Sequence, residues 1–458
     1  MRTMRSFLMA QAVAVALSTF ADDRLATAPD DGIVDATAAL QQVVDAVSAS
    51  GGGRVTVPPG KYRVCALRLK DNVELHLKRD AWLLSTTNLA EYVEAEKTRK
   101  AANSAVYAEG ARNVAITGEG GIDGRGAYLD RVIERHPHLV LTHAWNTLKF
   151  SNCRDVRVED VTLLGGSTWT FFLRRCNGVT IRRIRLFGHA NYCNDGIDID
   201  AQNVLIEGCD IDAEDDAIVF KTHYAGAPTE NVVVRNCRLA SNSAVVKFGT
   251  ESHGPFRHIR VHDCTVSCRT TSHTIGPHKR PGEDRTARNH ALTGLEFNVF
   301  DGGSIEDVVM SDIRMEEGLT IPIYFSTKHR KMPPAGQQTF LRDVTIERVK
   351  MFEPSVSSVA NFIDGLPDLR PSDITLRDID LVMQGGGRSE DPEDLRKKMR
   401  PAHGFHIRNA DRIRFENVRI RCRDRDEVRP SVITEDADVK FVGCDFMTPV
   451  KGSSAKRM

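Results

Sequence analysis

A short phrase of alternating polar and apolar residues recurs along most of this 458-residue chain. Its central copies begin at Asp155, Gly178, Asn203, Asn231 and His258, so they are 23, 25, 28 and 27 residues apart. Each copy has the two-residue period that is typical of a half-buried strand. A unit repeated in this way cannot bury its apolar face alone and must stack on its neighbours. Further copies begin at Asn72, Asn113, Asp307, Asp343, Asp373 and Arg412.

The shortness of the repeat favours an all-β parallel β-helix, a solenoid of stacked coils, over a βα barrel. A β-sandwich is the alternative, but it does not require so regular a phrase. The composition agrees, because 34 glycines and 6% aromatic residues suit thin coils with tight corners. A solenoid grows in one dimension, so residues 22–449 can form a single catalytic domain despite their number.

Both ends of the chain depart from the repeat. Residues 1–21 have a basic start, an apolar stretch from Leu8 to Leu17 and the small-x-small run Thr19-Phe20-Ala21, which predicts a signal peptide and a secreted or periplasmic protein. A disordered start in a cytoplasmic protein is the alternative. Residues 35–49 have helical apolar spacing with Asp35 as N-cap, which predicts a short helix capping the first coil. Residues 450–458 are polar and are predicted to be a disordered tail.

The overall charge restricts the possible partners. Lys and Arg together number 62, as do Asp and Glu, so the formal net charge is zero. Broad nucleic-acid binding requires a basic surface, and no run after the signal is long and apolar enough to span a membrane. We therefore expect a monomer that binds neither nucleic acid nor membrane, and that holds any acidic substrate with local basic groups.

The ten cysteines predict packing rather than chemistry. Cys209, Cys237 and Cys264 occupy the same place in successive copies, so they should stack as a ladder of small buried side chains. The sequence contains no C-x-x-C pair with zinc spacing.

Two acidic runs, CNDGIDID and EDDAIVFK, lie one repeat apart. If Ile197 and Ile218 both point inward, Asp195 stacks under Asp216, which follows it by 21 residues. The same alignment places Asp200 under Lys221, and turns Asp198 and Asp200 outward as rim or supporting carboxylates.

Asp195, Asp215 and Asp216 would thus form a cluster of three carboxylates. Like charges at this distance raise one pKa, which leaves a protonated acid beside ionised neighbours. Glycoside hydrolysis requires such a pair of carboxyl groups. A calcium site is the rival use of the same oxygen ligands.

These runs resemble glycoside hydrolase family 28, the polygalacturonase family of pectin-degrading enzymes. The resemblance extends over most of the chain, from DATAALQQVVDAV near the start through GEGGIDGRG, NDGIDID and EDDAIVFK to FGTESHG. It implies a single-stranded right-handed parallel β-helix and a reaction that inverts the anomeric centre without a metal or organic cofactor. It also implies that Asp215 is the general acid and that Asp195 and Asp216 activate water, with ~6.5–9.5 Å between acid and base.

The sequence departs from the family pattern at three places. Cys193-Asn194-Asp195 replaces N-T-D, Ser243 lies where the family has a histidine, and Glu296-Phe297-Asn298 replaces R-I-K. The basic loops 278–285 and 326–331 offer other contacts for a uronate, and a neutral sugar is also open. The predicted substrate-binding residues are Lys221, Lys247, Glu251, His253, Glu296 and Asn298.

The function predicted from the sequence is that of an inverting glycoside hydrolase acting on a pectin-like polysaccharide such as polygalacturonate or rhamnogalacturonan. One alternative is a polysaccharide lyase on the same fold, which would use Ca²⁺ at the acidic cluster. The other is a glycan-binding β-helix without catalytic activity.

Overall fold

In a computed structural model, the described residues are 23–98, 103–128, 145–272, 289–386, 402–426, 429–446, 451–452 and 455–457. The predicted signal peptide and the basic loop 278–285 lie outside them. The described helices are α1 (Thr37–Ala49) and α2 (Leu89–Thr98), and neither has the length or the apolar character needed to cross a bilayer.

The strands pair in parallel with the equivalent strands of the coils before and after them, which builds the right-handed parallel β-helix that the repeat and the resemblance together predict. Each coil contributes up to three strands, so three ladders run along the molecule. The strands are β1 (Asp23–Leu25), β2 (Asp31–Asp35), β3 (Gly53–Val57), β4 (Gly60–Val64), β5 (Leu67–Arg68), β6 (Val73–Leu77), β7 (Ala81–Ser85), β8 (Ser104–Glu109), β9 (Arg112–Gly118), β10 (Gly121–Asp123), β11 (Asn146–Ser151), β12 (Arg154–Glu159), β13 (Thr162–Leu164), β14 (Phe171–Arg182), β15 (Arg185–Gly188), β16 (Ile197–Glu207), β17 (Asp210–Ala213), β18 (Ile218–Thr222), β19 (Thr229–Arg235), β20 (Arg238–Ser241), β21 (Ala244–Ser252), β22 (Pro255–Ser267), β23 (Ala291–Val299), β24 (Ser304–Met315), β25 (Leu319–Thr327), β26 (Phe340–Met351), β27 (Asn361–Asp364), β28 (Ser372–Gly385), β29 (Phe405–Asp424), β30 (Val432–Val442), β31 (Asp445–Phe446), β32 (Lys451–Gly452) and β33 (Ala455–Arg457).

The first residue of each repeated phrase forms a corner of the coil. Asn72, Asn203 and Asn231 have φ values of 59°, 56° and 55°, in the left-handed region that Asn, Asp and Gly tolerate best. The side-chain amide of Asn231 donates to Asn203 Oδ1 over 3.1 Å, so the corners are also bonded from coil to coil. The left-handed backbone at the corner therefore explains the type of residue that opens these phrases.

The buried apolar residues of the strands form one large hydrophobic core. The cysteine ladder lies in this core: Cys209, Cys237 and Cys264 are buried and carry free thiols, as their positions in the repeat predict.

The N-terminal helix begins two residues later than predicted, at Thr37. The N-cap position belongs to Ala36, while the Asp35 carboxylate accepts hydrogen bonds from the backbone N–H and the hydroxyl of Thr37. Leu40 and Val44 bury its apolar face against the first coils.

The prediction of a disordered tail at residues 450–458 is wrong for residues 451–452 and 455–457, which form β32 and β33. Strands β32 and β33 pair in parallel with β30, because the last coil leaves a strand edge whose N–H and C=O groups need partners.

Candidate active site

The structure brings together the three carboxylates that the sequence singles out. Asp195 lies just before β16, and Asp215 and Asp216 lie just before β18. The register pairs Ile197 with Ile218, and the Gly196 N–H donates to the Asp216 carbonyl oxygen over 2.7 Å. One carboxylate oxygen from each of the three aspartates lies within 4.8 Å of the others.

This spacing is shorter than the sequence led us to expect. The adjacent residues Asp215 and Asp216 lie one rung from Asp195, and a rung is ~4.8 Å. One oxygen of each carboxylate lies within 4.8 Å of the others, which is below the ~6.5–9.5 Å of a typical inverting pair.

Asn194 holds the segment that carries Asp195. Its side-chain amide donates to the carbonyl oxygens of Gly166 (2.9 Å) and Thr168 (2.6 Å). Its Oδ1 accepts from the N–H groups of Ala190 (3.0 Å) and Asn191 (2.8 Å). Four backbone groups of two loops are thus satisfied by one buried side chain. The sequence analysis assigned Asn194 no role, although it directly precedes Asp195.

Lys221 contacts the protein's own carboxylates. Its Nζ lies 3.3 Å from Asp195 Oδ2, 3.1 Å from Asp198 Oδ1 and 3.3 Å from Glu251 Oε2. It also lies 3.7 Å from the ring centroid of Trp169, in a cation–π contact that sequence reasoning missed. The side chain is 5% exposed, which does not fit the predicted substrate contact and instead makes Lys221 the counter-ion of the cluster.

The predicted rim carboxylates Asp198 and Asp200 are both buried. Asp198 faces Lys221, whereas Asp200 Oδ2 lies 2.9 Å from His223 Nδ1 rather than on Lys221. The ring of Trp169 lies near that of His223, with 6.1 Å between the centroids.

Lys247 pairs with Asp216. Its Nζ donates to Asp216 Oδ2 over 2.8 Å, while the Ala244 N–H donates to Oδ1 over 3.2 Å. On the other side, Ser243 hydrogen-bonds the Asp215 carboxylate at the place where the family pattern has histidine. The two neighbouring aspartates therefore differ in their surroundings: a cation holds Asp216 and a hydroxyl contacts Asp215.

Burial and like charges separate the pKa values of the cluster. Burial, then the neighbouring Asp216, raises the pKa of Asp215 to about 6, although Lys247 acts in the other direction. Burial, then Asp198, raises the pKa of Asp195 well above its usual value. Burial opposes the charge on Lys221, but Asp198 and Asp195 outweigh it and raise the pKa of the ammonium. The cluster thus combines two carboxyl groups of raised pKa with an ammonium group whose pKa is also raised.

Three of the predicted substrate-binding residues lie on the rungs beyond the cluster, in β21 and β23: Glu251, Glu296 and Asn298. Burial would raise the pKa of Glu251, but Lys221 lowers it to about 2. Glu296 lies beside Lys247 in the register of β21 and β23. Thr293 Oγ1 and Asn298 Nδ2 donate to the two oxygens of Glu296.

His253 lies apart from the carboxylate cluster. Its Nε2 is 3.6 Å from Asp301 Oδ2 and 3.5 Å from Lys331 Nζ, at the base of the loop 326–331. The prediction that His253 contacts substrate stays untested.

A column of phenylalanine rings stands behind the cleft. Phe220, Phe248, Phe297 and Phe325 stack with centroid distances of 4.5, 5.0 and 4.3 Å. Because side chains alternate along a strand, each ring points inward where its neighbours Lys221, Lys247 or Glu296 point outward. The buried stack therefore sets the positions of the outward-facing groups.

A second groove, of about 800 Å³, lies on another part of the surface. Its charges pair with one another, as in Arg54–Glu74 and Arg183–Asp160. Three carboxylates that approach one another within 4.8 Å lie at the aspartate cluster instead, so that cluster is the candidate site.

The fold and the cluster define a parallel β-helix with three carboxylates stacked on neighbouring coils. Residues 53–268, which include all three, match the model of glycosyl hydrolases family 28.

Curated relatives and solved structures show a similar likeness in sequence and in fold. The chain is 28% identical to a probable polygalacturonase of Vitis vinifera over 262 residues, which are 51% of this chain and 52% of the relative. The chain thus spans about half the length of the curated relatives it matches. The family 28 exopolygalacturonase of Yersinia enterocolitica has a TM-score of 0.67 at 16% identity, covering 95% of this chain and 78% of that one. The Thermotoga maritima exopolygalacturonase has a TM-score of 0.60 at 19% identity, covering 80% and 88%.

Proposed function

We propose that the protein is a glycoside hydrolase that cleaves a pectin-like polysaccharide such as polygalacturonate or rhamnogalacturonan. The single observation that carries the proposal is the contact of three carboxylates, Asp195, Asp215 and Asp216, in a family whose matched relatives are polygalacturonases. Such a cluster can protonate a leaving oxygen and activate a water in one site.

In the proposed mechanism, Asp215 is the general acid. Its pKa of about 6 keeps a proton available in weakly acidic solution, and the proton passes to the glycosidic oxygen as the bond breaks. Asp216, whose charge Lys247 stabilises at 2.8 Å, accepts a proton from the attacking water together with Asp195. The water adds to the anomeric carbon, and the leaving sugar departs as an alcohol.

Inversion of the anomeric centre follows from the resemblance to the family. The short spacing of the oxygens is closer to that of enzymes that retain configuration. Proton NMR of the first product separates the two outcomes, since inversion yields the opposite anomer before mutarotation. Initial formation of the retained anomer would overturn the role given to water.

The first alternative, a Ca²⁺-dependent lyase, is not favoured by the matched relatives. At the cluster, the ammonium groups of Lys221 and Lys247 already lie against Asp195 and Asp216, where a cation would compete with them. A lyase would lose activity with a chelator and release an unsaturated product that absorbs in the ultraviolet.

The test of the proposal is reducing-end release from a panel of polygalacturonate, rhamnogalacturonan and acidic algal polymers. We expect turnover by the wild type and a loss of about 10²–10⁴-fold in Asp215→Asn. The matched control is Asp210→Asn, an aspartate on the surface strand β17 that pairs with Arg238. Binding of a polymer with no turnover by the wild type would favour the non-catalytic alternative.

A further inference from the structure

The candidate site has more carboxylates than cations. Its carboxyl groups are those of Asp195, Asp198, Asp215, Asp216, Glu251 and Glu296. Two ammonium groups, those of Lys221 and Lys247, contact this set. In the described ranges, which exclude residues 273–288, no further cation lies within ion-pair distance of these carboxylates.

Both ammonium groups contact carboxylates of the protein. The three donors of Lys221 are matched by three carboxylates at 3.1–3.3 Å. Lys247 donates to Asp216, and its side chain is 15% exposed. Lys221 could turn towards a carboxylate of the substrate only by leaving a buried carboxylate of the protein without its partner.

Glu296 adds a fixed negative charge to the rung beside Lys247. Phe297 points into the core, so Glu296 and Asn298 share the outward face of β23. Thr293 and Asn298 donate to Glu296, which holds its carboxylate in place.

Asn298 leaves an acceptor without a donor. The residue is 1% exposed, and its Oδ1 has no hydrogen-bond partner among the described residues. A buried acceptor of this kind is costly unless a ligand or a water donates to it.

We infer that the sugar bound beside Glu296 is neutral, and that Glu296 excludes a uronic acid from this subsite. An ionised uronate would bring a like charge to Glu296. A neutral sugar with a hydroxymethyl or hydroxyl group at that position adds no charge and can donate to the half-buried Glu296 carboxylate. The inference rests on the proposed function, and of the two polymers named there it favours rhamnogalacturonan, whose backbone contains a neutral sugar.

The test compares two ligands that differ in this group alone: an oligogalacturonide of defined length and the same oligosaccharide in which only the carboxyl group of the residue expected beside Glu296 is reduced to a hydroxymethyl group. Calorimetry with Asp215→Asn measures binding of both without turnover, and wild-type hydrolysis is followed separately. We expect the reduced ligand to bind about tenfold more tightly. Adding Glu296→Gln should bring the two affinities close together, whereas adding Glu316→Gln, a surface glutamate that pairs with Arg314, should leave the ratio unchanged.

The outcomes separate the inference from the proposed function. Equal binding of the two ligands, or tighter binding of the uronate, overturns the inference whatever the enzyme hydrolyses. A preference for the reduced ligand that Glu296→Gln leaves unchanged also overturns it, because the discrimination would then come from elsewhere. Failure of the wild type to hydrolyse any glycan, with the preference intact, overturns the proposed hydrolase and leaves the neutral subsite in place.

Discussion

The Lys247 ammonium lies 2.8 Å from the Asp216 carboxylate, on a strand that is one rung further along the helix. Asp215, the adjacent residue in the chain, contacts the hydroxyl of Ser243 instead. Two consecutive aspartates therefore meet a cation and a neutral group, and this asymmetry is the structural basis for proposing different roles for them.

Replacing Lys247 by methionine should impair the base more than the acid. Asp216 would lose its counter-ion, so the acidic limb of the kcat profile should move to higher pH. Breaking a buried pair of this kind should also cost about 3 kcal/mol of unfolding free energy. The pH dependence of kcat checks the first effect and urea denaturation the second. Lys61→Met, at an exposed position of β4, is the control. A profile that falls uniformly without shifting would contradict the role of Lys247 as partner of Asp216.

The effect on kcat of removing the general acid should depend on the leaving group of the substrate. Asp215→Asn should lose about 10²–10⁴-fold in kcat on a polysaccharide. On an aryl glycoside whose phenolate leaves without protonation, the same variant should stay near the wild-type rate. The comparison needs Asp195→Asn in parallel, because the pKa of Asp195 is also raised. If the aryl substrate restores Asp195→Asn and not Asp215→Asn, the proton donor is Asp195.

Activity should decline as the pH rises above about 6, because the pKa of Asp215 is about 6 and the acid must be protonated. A bell-shaped profile of kcat/KM is expected, with its alkaline limb set by this group. An alkaline limb that stays in place in variants that alter the surroundings of Asp215, such as Ser243→Ala, would exclude it as the titrating acid.

The same pKa shift predicts a cost in stability. A carboxyl whose pKa is raised on folding keeps a proton that the unfolded chain loses, so the free energy of unfolding falls as the pH rises from about 4 to about 6. Asp215→Asn removes this term and should be more stable than the wild type at neutral pH by about 1–3 kcal/mol, and not at about pH 4. Thermal melts at the two pH values measure the difference. Equal stability at both would show that the cluster does not oppose folding.

The phenylalanine column should support the cleft as well as the core. Phe297→Ala removes a ring that stacks on Phe248 and Phe325, and should cost about 3–5 kcal/mol. It should also lower turnover, since Glu296 and Asn298 flank the ring in β23. Phe441→Ala, near the C-terminal end of the helix, offers a control that removes a core ring far along the chain from the cluster. Equal loss of turnover in both variants would assign the effect to global stability.

The backbone arrangement could be predicted from the sequence because it is periodic. The 21-residue spacing of Asp195 and Asp216 matches the register of β16 on β18, and the first residue of each phrase is a left-handed corner. The contacts of Lys221 could not be reached in the same way. The lysine was expected above Asp200, but its long side chain extends to Asp195, Asp198 and Glu251, which depends on rotamers and not on register.

Trp169 and His223 escaped notice for a different reason. Each is a single residue outside any recurring pattern, and their meeting depends on where a loop between coils folds back. The short distance between the aspartate oxygens was also out of reach, because a strand register specifies the spacing of backbones and not the direction of carboxylates.

The stacked rings also have a consequence for how such a protein can change over generations. Since each coil contributes one ring to the stack, the length of the cleft can change only by whole coils. Adding or removing a coil would lengthen or shorten the groove by one fixed increment, and the aspartates would remain where they are. A lineage built on this plan can thus adjust the reach of its binding groove in steps without redesigning its reactive centre.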